Sequence, residues 1–216
     1  MRYPVGVTGL QEEFDTKWYS ARKFGYRVDD WYHEGEDWNL LTGGNTDDRE
    51  PLYAIADGKI AYYHYHSHIG SGYGRHLILR IEGPWGVRWA HYAHCHQDDF
   101  LNRAVEVREG QMIARISNSG TQLAHLHFAI YKKDPVGNID RWARTRAELN
   151  EWWEDPAAFI KQWMQPASQP IITDETYIPQ MSMKVREIRA FLASQQATID
   201  SLNSKISQIK AIVQVG

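Results

Sequence analysis

From Val185 to Val213 the apolar residues fall at a spacing that a helix keeps when it has a partner helix. Val185, Ile188, Leu192, Gln195, Ile199, Leu202, Ile206, Ile209 and Val213 are separated alternately by three and four positions. That is an a/d heptad seam, with Gln195 as its one polar position. An amphipathic helix lying back on its own domain is the other reading, but a period of 3.5 kept this long favours a partner. β-Branched residues at both a and d, with Phe191 and Ile212 widening the face at g, favour more than two strands. Residues 182–216 are therefore expected to form a long C-terminal coiled-coil helix that makes a parallel homo-oligomer, a trimer or a dimer. Before it, Gln165–Gln180 holds three prolines among Ser, Thr and Gln. So 165–181 reads as a linker and 1–164 as a separate domain.

That domain reads as β-rich. Pro51–Tyr65 places Ala-Asp-Gly between two Tyr- and Ile-bearing runs, a hairpin-like signal. Arg75–Ile81 and Val87–Tyr92 flank the breaker Glu82-Gly83-Pro84, and Gln111–Ile116 and His125–Tyr131 complete the set. The fold class expected is mainly β: an antiparallel sandwich or barrel-like domain with a few added helices. Arg141–Trp153 reads as one helix. Asp155-Pro156 supplies an N-cap and an N1 proline for a second, ending at Trp163.

Several function classes drop out. Lys and Arg number 24 against 27 Asp and Glu, a net charge of −3, so no nucleic-acid partner is expected. No apolar run approaches the roughly 20 residues of a membrane span, so no transmembrane segment is expected. The first fifteen residues carry early acids and no apolar core, so no secretory signal is read there. A single cysteine, Cys95, excludes an internal disulfide and reads as a small buried hydrophobe rather than a thiolate ligand.

The ten histidines lie at 33, 64, 66, 68, 76, 91, 94, 96, 125 and 127, with none in the tail. His125 and His127 alternate within a strand-like run, so both rings leave the same face. His33 and Asp37 offer an imidazole and a carboxylate four apart. His64, His66 and His68 also alternate, but no carboxylate lies close to them in sequence, and exposed polar residues running into a turn are the plainer reading. Trp31, Trp38, Trp85 and Trp89 are read as core for the most part, with a groove lining as the alternative.

Around these residues the words fall in a definite order. His33-Glu34-Gly35-Glu36-Asp37 is followed by Leu52-Tyr53-Ala54-Ile55-Ala56-Asp57-Gly58, Gly72-Tyr73-Gly74, Tyr92-Ala93-His94, Gly110-Gln111-Met112-Ile113 and His125-Leu126-His127-Phe128. In this combination the chain resembles the lysostaphin-type zinc endopeptidases of bacterial cell walls, with their duplicated hybrid motif fold. The resemblance covers about 24–160, from Phe24-Gly25-Tyr26-Arg27 to Asp155-Pro156. It implies His33, Asp37 and His127 as ligands of one Zn²⁺ per chain, and His94 and His125 as the catalytic histidines. It implies peptidoglycan peptide as substrate, met outside the cytoplasm. With no secretory signal read and an oligomerising tail expected, a phage-type lysin, a virion-associated enzyme or a protein exported by another route is the expected context.

Three protein ligands leave a fourth tetrahedral position for water, as catalytic zinc requires. Two neutral imidazoles and one carboxylate would leave the site at net +1, and histidine suits both proton transfers of peptide hydrolysis. Which of His94 and His125 acts as base stays open. The stretch between Phe128 and Asp155 is long for the family and the loop Ser117–Ala124 is short, so cleavage specificity is not carried over. A non-catalytic scaffold of the same fold, and a metal-storing role for His64, His66 and His68, are the competing readings.

Overall fold

Residues Leu126–Tyr131 are buried at every position. Leu126, Phe128 and Ile130 face one apolar cluster, and Ala129 and Tyr131 face another. A strand buried on both faces must lie in the middle of a layered structure. The computed structural model describes residues 1–64, 72–96, 105–139 and 141–164, all within the first of two compact units, Met1–Gln165. The linker 165–181 and the coiled coil 182–216, like His66 and His68, lie outside the described residues.

The elements in chain order are α1 (Gln11–Lys17), β1 (Trp18–Arg22), β2 (Arg27–Val28), β3 (Trp31–Tyr32), β4 (Glu36–Leu40), β5 (Pro51–Tyr53), β6 (Gly58–His64) and β7 (His76–Gly83). They continue with β8 (Gly86–Ala93), β9 (Glu106–Val107), β10 (Met112–Arg115), β11 (Leu126–Tyr131), α2 (Arg146–Trp152), β12 (Trp153–Glu154) and α3 (Pro156–Trp163). The main sheet runs β1-β4-β11-β8-β7-β6-β9, with β12 also pairing β11. All its pairings are antiparallel. Two small sheets, β10-β5 and β2-β3, accompany it among the described residues. The mainly antiparallel β character with a few helices is thus observed.

One face of the main sheet carries Trp38, Leu77, Leu79, Tyr92 and Phe128, and the β5–β10 pair covers it with Leu52, Ile113 and Ala114. Trp38 is fully buried and its indole N–H donates to Glu36 at 2.6 Å, which satisfies the one polar atom it brings inside. On the other face Ala129 and Tyr131 pack against Ala143, Leu149 and Trp153. α3 begins as its sequence predicts: Asp155 accepts from the Ala158 amide at 2.9 Å, with proline behind it.

Two expectations fail for physical reasons. Pro51–Tyr65 is not a hairpin, because β5 pairs with β10 and β6 with β7 and β9. Leu52, Ala54, Ile55 and Ala56 are all buried, so this stretch crosses the interior instead of doubling back. The helix expected over 141–153 is only α2. Thr145 caps it by accepting from the Glu148 amide at 3.1 Å, a Thr-x-x-Glu start that leaves 141–144 outside.

Candidate metal centre and active site

Alternation places the site. The face of β4 and β11 opposite the core carries Asp37 and His127, which are direct cross-strand partners. His33 precedes β4, and its backbone is clamped by the bonds His33 N–H to Tyr26 O at 2.8 Å and Gly25 N–H to His33 O at 2.7 Å. Gly35 makes the approach possible. A Cβ there would lie 2.5 Å from the Phe128 carbonyl oxygen and 2.9 Å from the His127 ring.

Three ligand atoms converge. His33 Nε2 lies 3.1 Å from Asp37 Oδ1, His127 Nδ1 lies 3.0 Å from the same oxygen, and the two ring nitrogens are 3.0 Å apart. Tetrahedral bonds of about 2.0–2.1 Å would separate donors by about 3.3 Å, so this triangle fits a zinc ion with little adjustment. The donor set, two imidazoles and one carboxylate, is also one that zinc takes. His33 Nδ1 faces the Lys23 carbonyl at 3.3 Å, and since a carbonyl only accepts, the ring proton sits there and Nε2 keeps its lone pair. Among the described residues this is the one group of three such side chains whose ligand atoms lie within 4.8 Å of one another.

His94 and His125 stand beside the triangle with ring centroids 4.4 Å apart. His94 Nδ1 donates to Ser119 O at 2.7 Å and His125 Nδ1 to Leu123 O at 3.0 Å, so each keeps a lone pair on Nε2. His125 Nε2 is 3.7 Å from Asp37 Oδ1. His94 follows β8 in a left-handed backbone conformation, φ 58°, which costs a non-glycine residue energy. Its amide donates to Tyr73 O at 3.0 Å, and its carbonyl accepts from the Ser117 amide and hydroxyl at 2.7 and 3.0 Å. The strained conformation is thereby held at both ends.

The site's electrostatics are decided by burial and by Asp37. Burial alone would raise the Asp37 carboxyl, but the His127 and His33 rings, which can turn a proton toward it as long as no metal claims their lone pairs, outweigh burial and hold it well below the usual range. His127 is the mirror case: burial pushes it down, and the hydrogen bond and charge of Asp37 win, leaving it raised. Burial lowers His125, and it takes His94 down to about 3, so both remain neutral at physiological pH.

A fully buried carboxylate lies on the far side of His127. Glu34 Oε1 accepts from the Tyr73 hydroxyl and lies 3.8 Å from His127 Nε2. That Nε2 and Glu34 Oε2 have no hydrogen-bond partner among the described residues. With Nδ1 turned to the ligand triangle, Nε2 must carry the ring proton, and Glu34 is the acceptor facing it. Sequence reasoning passed over Glu34 although it stands inside the His33–Asp37 word. Tyr73, in Gly72-Tyr73-Gly74, was equally in view.

The centre opens into a cavity of about 180 Å³ walled by Trp31, Tyr73, Trp142 and Arg22. Trp31 packs edge-on against Trp142 at 4.5 Å, and Trp142 stacks on Tyr73 at 5.1 Å. Trp31 lines this cavity, whereas Trp38, Trp85 and Trp89 pack in or against the cores. Cys95 is fully buried and its thiol donates to Tyr92 O at 3.4 Å, the small-hydrophobe reading. His64 stacks on His76 at 5.3 Å and does not line the cavity.

Residues 32–138 match the model of peptidase family M23. Lipoprotein NlpD of Yersinia enterocolitica is 31% identical over 98 residues, 45% of this chain and 93% of that sequence. The chain belongs to peptidase family M23. Its members are typically metalloendopeptidases that hydrolyse peptidoglycan. Among solved structures, the catalytic domain of the antimicrobial peptidase lysostaphin from Staphylococcus simulans is 19% identical, covering 73% of this chain and 98% of that one, with a TM-score of 0.46. The catalytic domain of the prophage-encoded M23 protein EnpA from Enterococcus faecalis is 20% identical, covering 55% and 83%, with a TM-score of 0.44. A zinc-containing peptidase from Vibrio cholerae is 23% identical, covering 60% and 35%, with a TM-score of 0.42. No helix among the described residues is long and apolar enough to cross a membrane.

Proposed function

We propose that this M23 chain is a zinc-dependent endopeptidase cutting the peptide part of bacterial peptidoglycan, in the manner of a phage-type lysin. The observation that carries this reading is the triangle of His33 Nε2, Asp37 Oδ1 and His127 Nδ1, with edges of 3.0–3.1 Å, beside two further imidazoles whose Nε2 atoms keep a lone pair. Zinc held by His33, Asp37 and His127 would polarise the scissile carbonyl and acidify a water molecule.

The remaining chemistry belongs to the chain's own groups. Both His94 and His125 present a lone pair, so each accepts a proton or a hydrogen bond and neither donates until it has been protonated. His94 is the more deeply buried, and its conjugate acid is disfavoured down to about 3. It is therefore assigned to orienting the attacking water through its lone pair. His125, with 15% of its side chain exposed, is assigned to taking the proton and returning it to the leaving amine. The Leu123 carbonyl facing its Nδ1–H steadies the imidazolium formed between the two transfers.

The test is zinc analysis together with digestion of purified walls. Near-stoichiometric zinc and wall hydrolysis, both lost on chelation and restored by zinc, support the reading. A folded protein that binds no zinc and cuts nothing would replace it with a binding scaffold. The heptad seam is assigned to joining several catalytic domains, which raises their effective concentration on a polymeric wall. Sedimentation of the full chain at the mass of a monomer would refute that assignment.

A further inference from the structure

The pairing of β1 with β4 contains an irregularity. Trp18, Tyr19 and Ser20 oppose Leu40, Asn39 and Trp38 in regular steps, but the next partner of Asp37 is Arg22 rather than Ala21. One extra residue in β1 shifts the alternation there. Without it Arg22 would stand opposite Glu36, whose neighbour Trp38 faces the core. With it Arg22 joins the face that carries Asp37 and His127, and it lines the cavity over the ligand triangle.

The guanidinium is not used up by the protein. It is 45% exposed, and its one ionic contact among the described residues is Nη1 to Asp37 Oδ2 at 3.8 Å, too long for a hydrogen bond. Asp37 is the one carboxylate among the described residues of that cavity wall. With a divalent ion bound, Asp37 and the buried Glu34 behind His127 together offset the ion, which leaves the charge of Arg22 uncompensated at the cavity. A planar fork of five N–H donors is matched by a carboxylate and by little else in a peptide.

We infer that Arg22 reads a substrate carboxylate, so that the peptide cut is an acidic one, such as a wall stem peptide, rather than an uncharged glycine bridge. This rests on the peptidase reading above. Arg22 reaches to 3.8 Å from a proposed ligand carboxylate, and a peptide advances about 3.5 Å per residue, so the carboxylate lies within about two residues of the scissile bond. The same unpaired cation disfavours substrates with a free amine at that position.

The experiment separates recognition from cleavage. Zinc-loaded full-length His125→Ala protein is titrated calorimetrically with two synthetic stem peptides, identical except that one carries a carboxamide in place of the carboxylate beside the cross-link. A charged hydrogen-bonded pair is worth about 1.5–3 kcal/mol, so the acid is expected to bind roughly 10–150 times more tightly. Adding Arg22→Gln should bring the acid down to the affinity of the amide, and Arg22→Lys should restore only part of the preference. Equal binding of the two peptides, or a preference that survives Arg22→Gln, overturns the inference. Cleavage by the His125-containing protein is scored separately. Preference without cleavage leaves Arg22's role standing and removes the peptidase reading, whereas cleavage without preference does the reverse.

Discussion

Replacing Gly35 by alanine puts one methyl group against both the fold and the ligand set. The new Cβ would lie 2.5 Å from the Phe128 carbonyl oxygen and 2.9 Å from Cε1 and Nε2 of His127. Side chains do not approach closer than 3.0 Å, and ordinary contact begins at 3.4 Å, so the first of these must open by about 0.5–0.9 Å. The obstacle is backbone of a strand buried on both faces, so β4 and the His33 turn must move instead. Metal sites tolerate displacements of only about 0.2 Å. Two effects are expected together: a loss of about 1–3 kcal/mol in stability from overpacking, and a fall in zinc affinity of at least about 10–100-fold. Competition with a chelating dye reads the affinity, and denaturant unfolding of the metal-free protein reads the stability. Gly43→Ala is the control, because nothing lies within 4 Å of a Cβ there, so its positive φ of 72° costs stability alone. Wild-type zinc affinity in Gly35→Ala would refute the claim that this glycine exists to let His33 and His127 meet.

Glu34→Leu removes the acceptor facing His127 Nε2 and should weaken zinc binding by about 10–100-fold, while Glu34→Gln, which keeps a carbonyl oxygen, recovers most of it. Nitrogen chemical shifts of the His127 ring should show the Nδ1–H tautomer gaining ground in the leucine variant, and an unchanged tautomer would sink the argument. His125→Ala should retain stoichiometric zinc yet lose about 10²–10⁴-fold in kcat, and a proportional loss of zinc would mean that the ring binds metal instead. Burial holds His76 at about 3 and His91 well below its ordinary value, whereas an unfolded imidazole titrates near 6.5. Their contribution is complete above about 6.5 and is lost as pH falls through the window below it, by about 1.4 kcal/mol per group per unit. Denaturation of the metal-free protein at pH 7.5 and 5.0 reads this, and His91→Leu should remove one group's share of the acid slope.

Much of this was legible in the sequence, and the failures have causes. The β7–β8 hairpin shows itself because Glu82-Gly83-Pro84 separates two alternating runs. α3 shows itself because its cap and its proline are adjacent. The residues that meet at the candidate metal centre could be singled out because each sits in a distinctive short word. β4 gave no local signal: Glu-Asp-Trp-Asn-Leu has no β-branched residue, and it is strand because β1 and β11 flank it. Pro51–Tyr65 misled because a turn residue between two apolar runs looks the same whether the chain doubles back or passes through the core. The position of Arg22 was invisible, since one extra residue in a five-residue strand leaves no trace in its alternation. Trp142 carried no sign that it would wall the cavity rather than continue a helix.

β11 ties the candidate centre to the rest of the domain. Its even-numbered side chains make the interior and its odd-numbered ones begin with His127, so the strand cannot separate from its neighbours for one purpose and stay for the other. Its amide hydrogens should therefore exchange with solvent only when the whole domain opens, and the proposed ligand His127 should be lost in the same event and at no lower free energy. Heat or denaturant would then find no folded form that lacks the triangle on the way down: wherever the domain is folded, His33, Asp37 and His127 stand together.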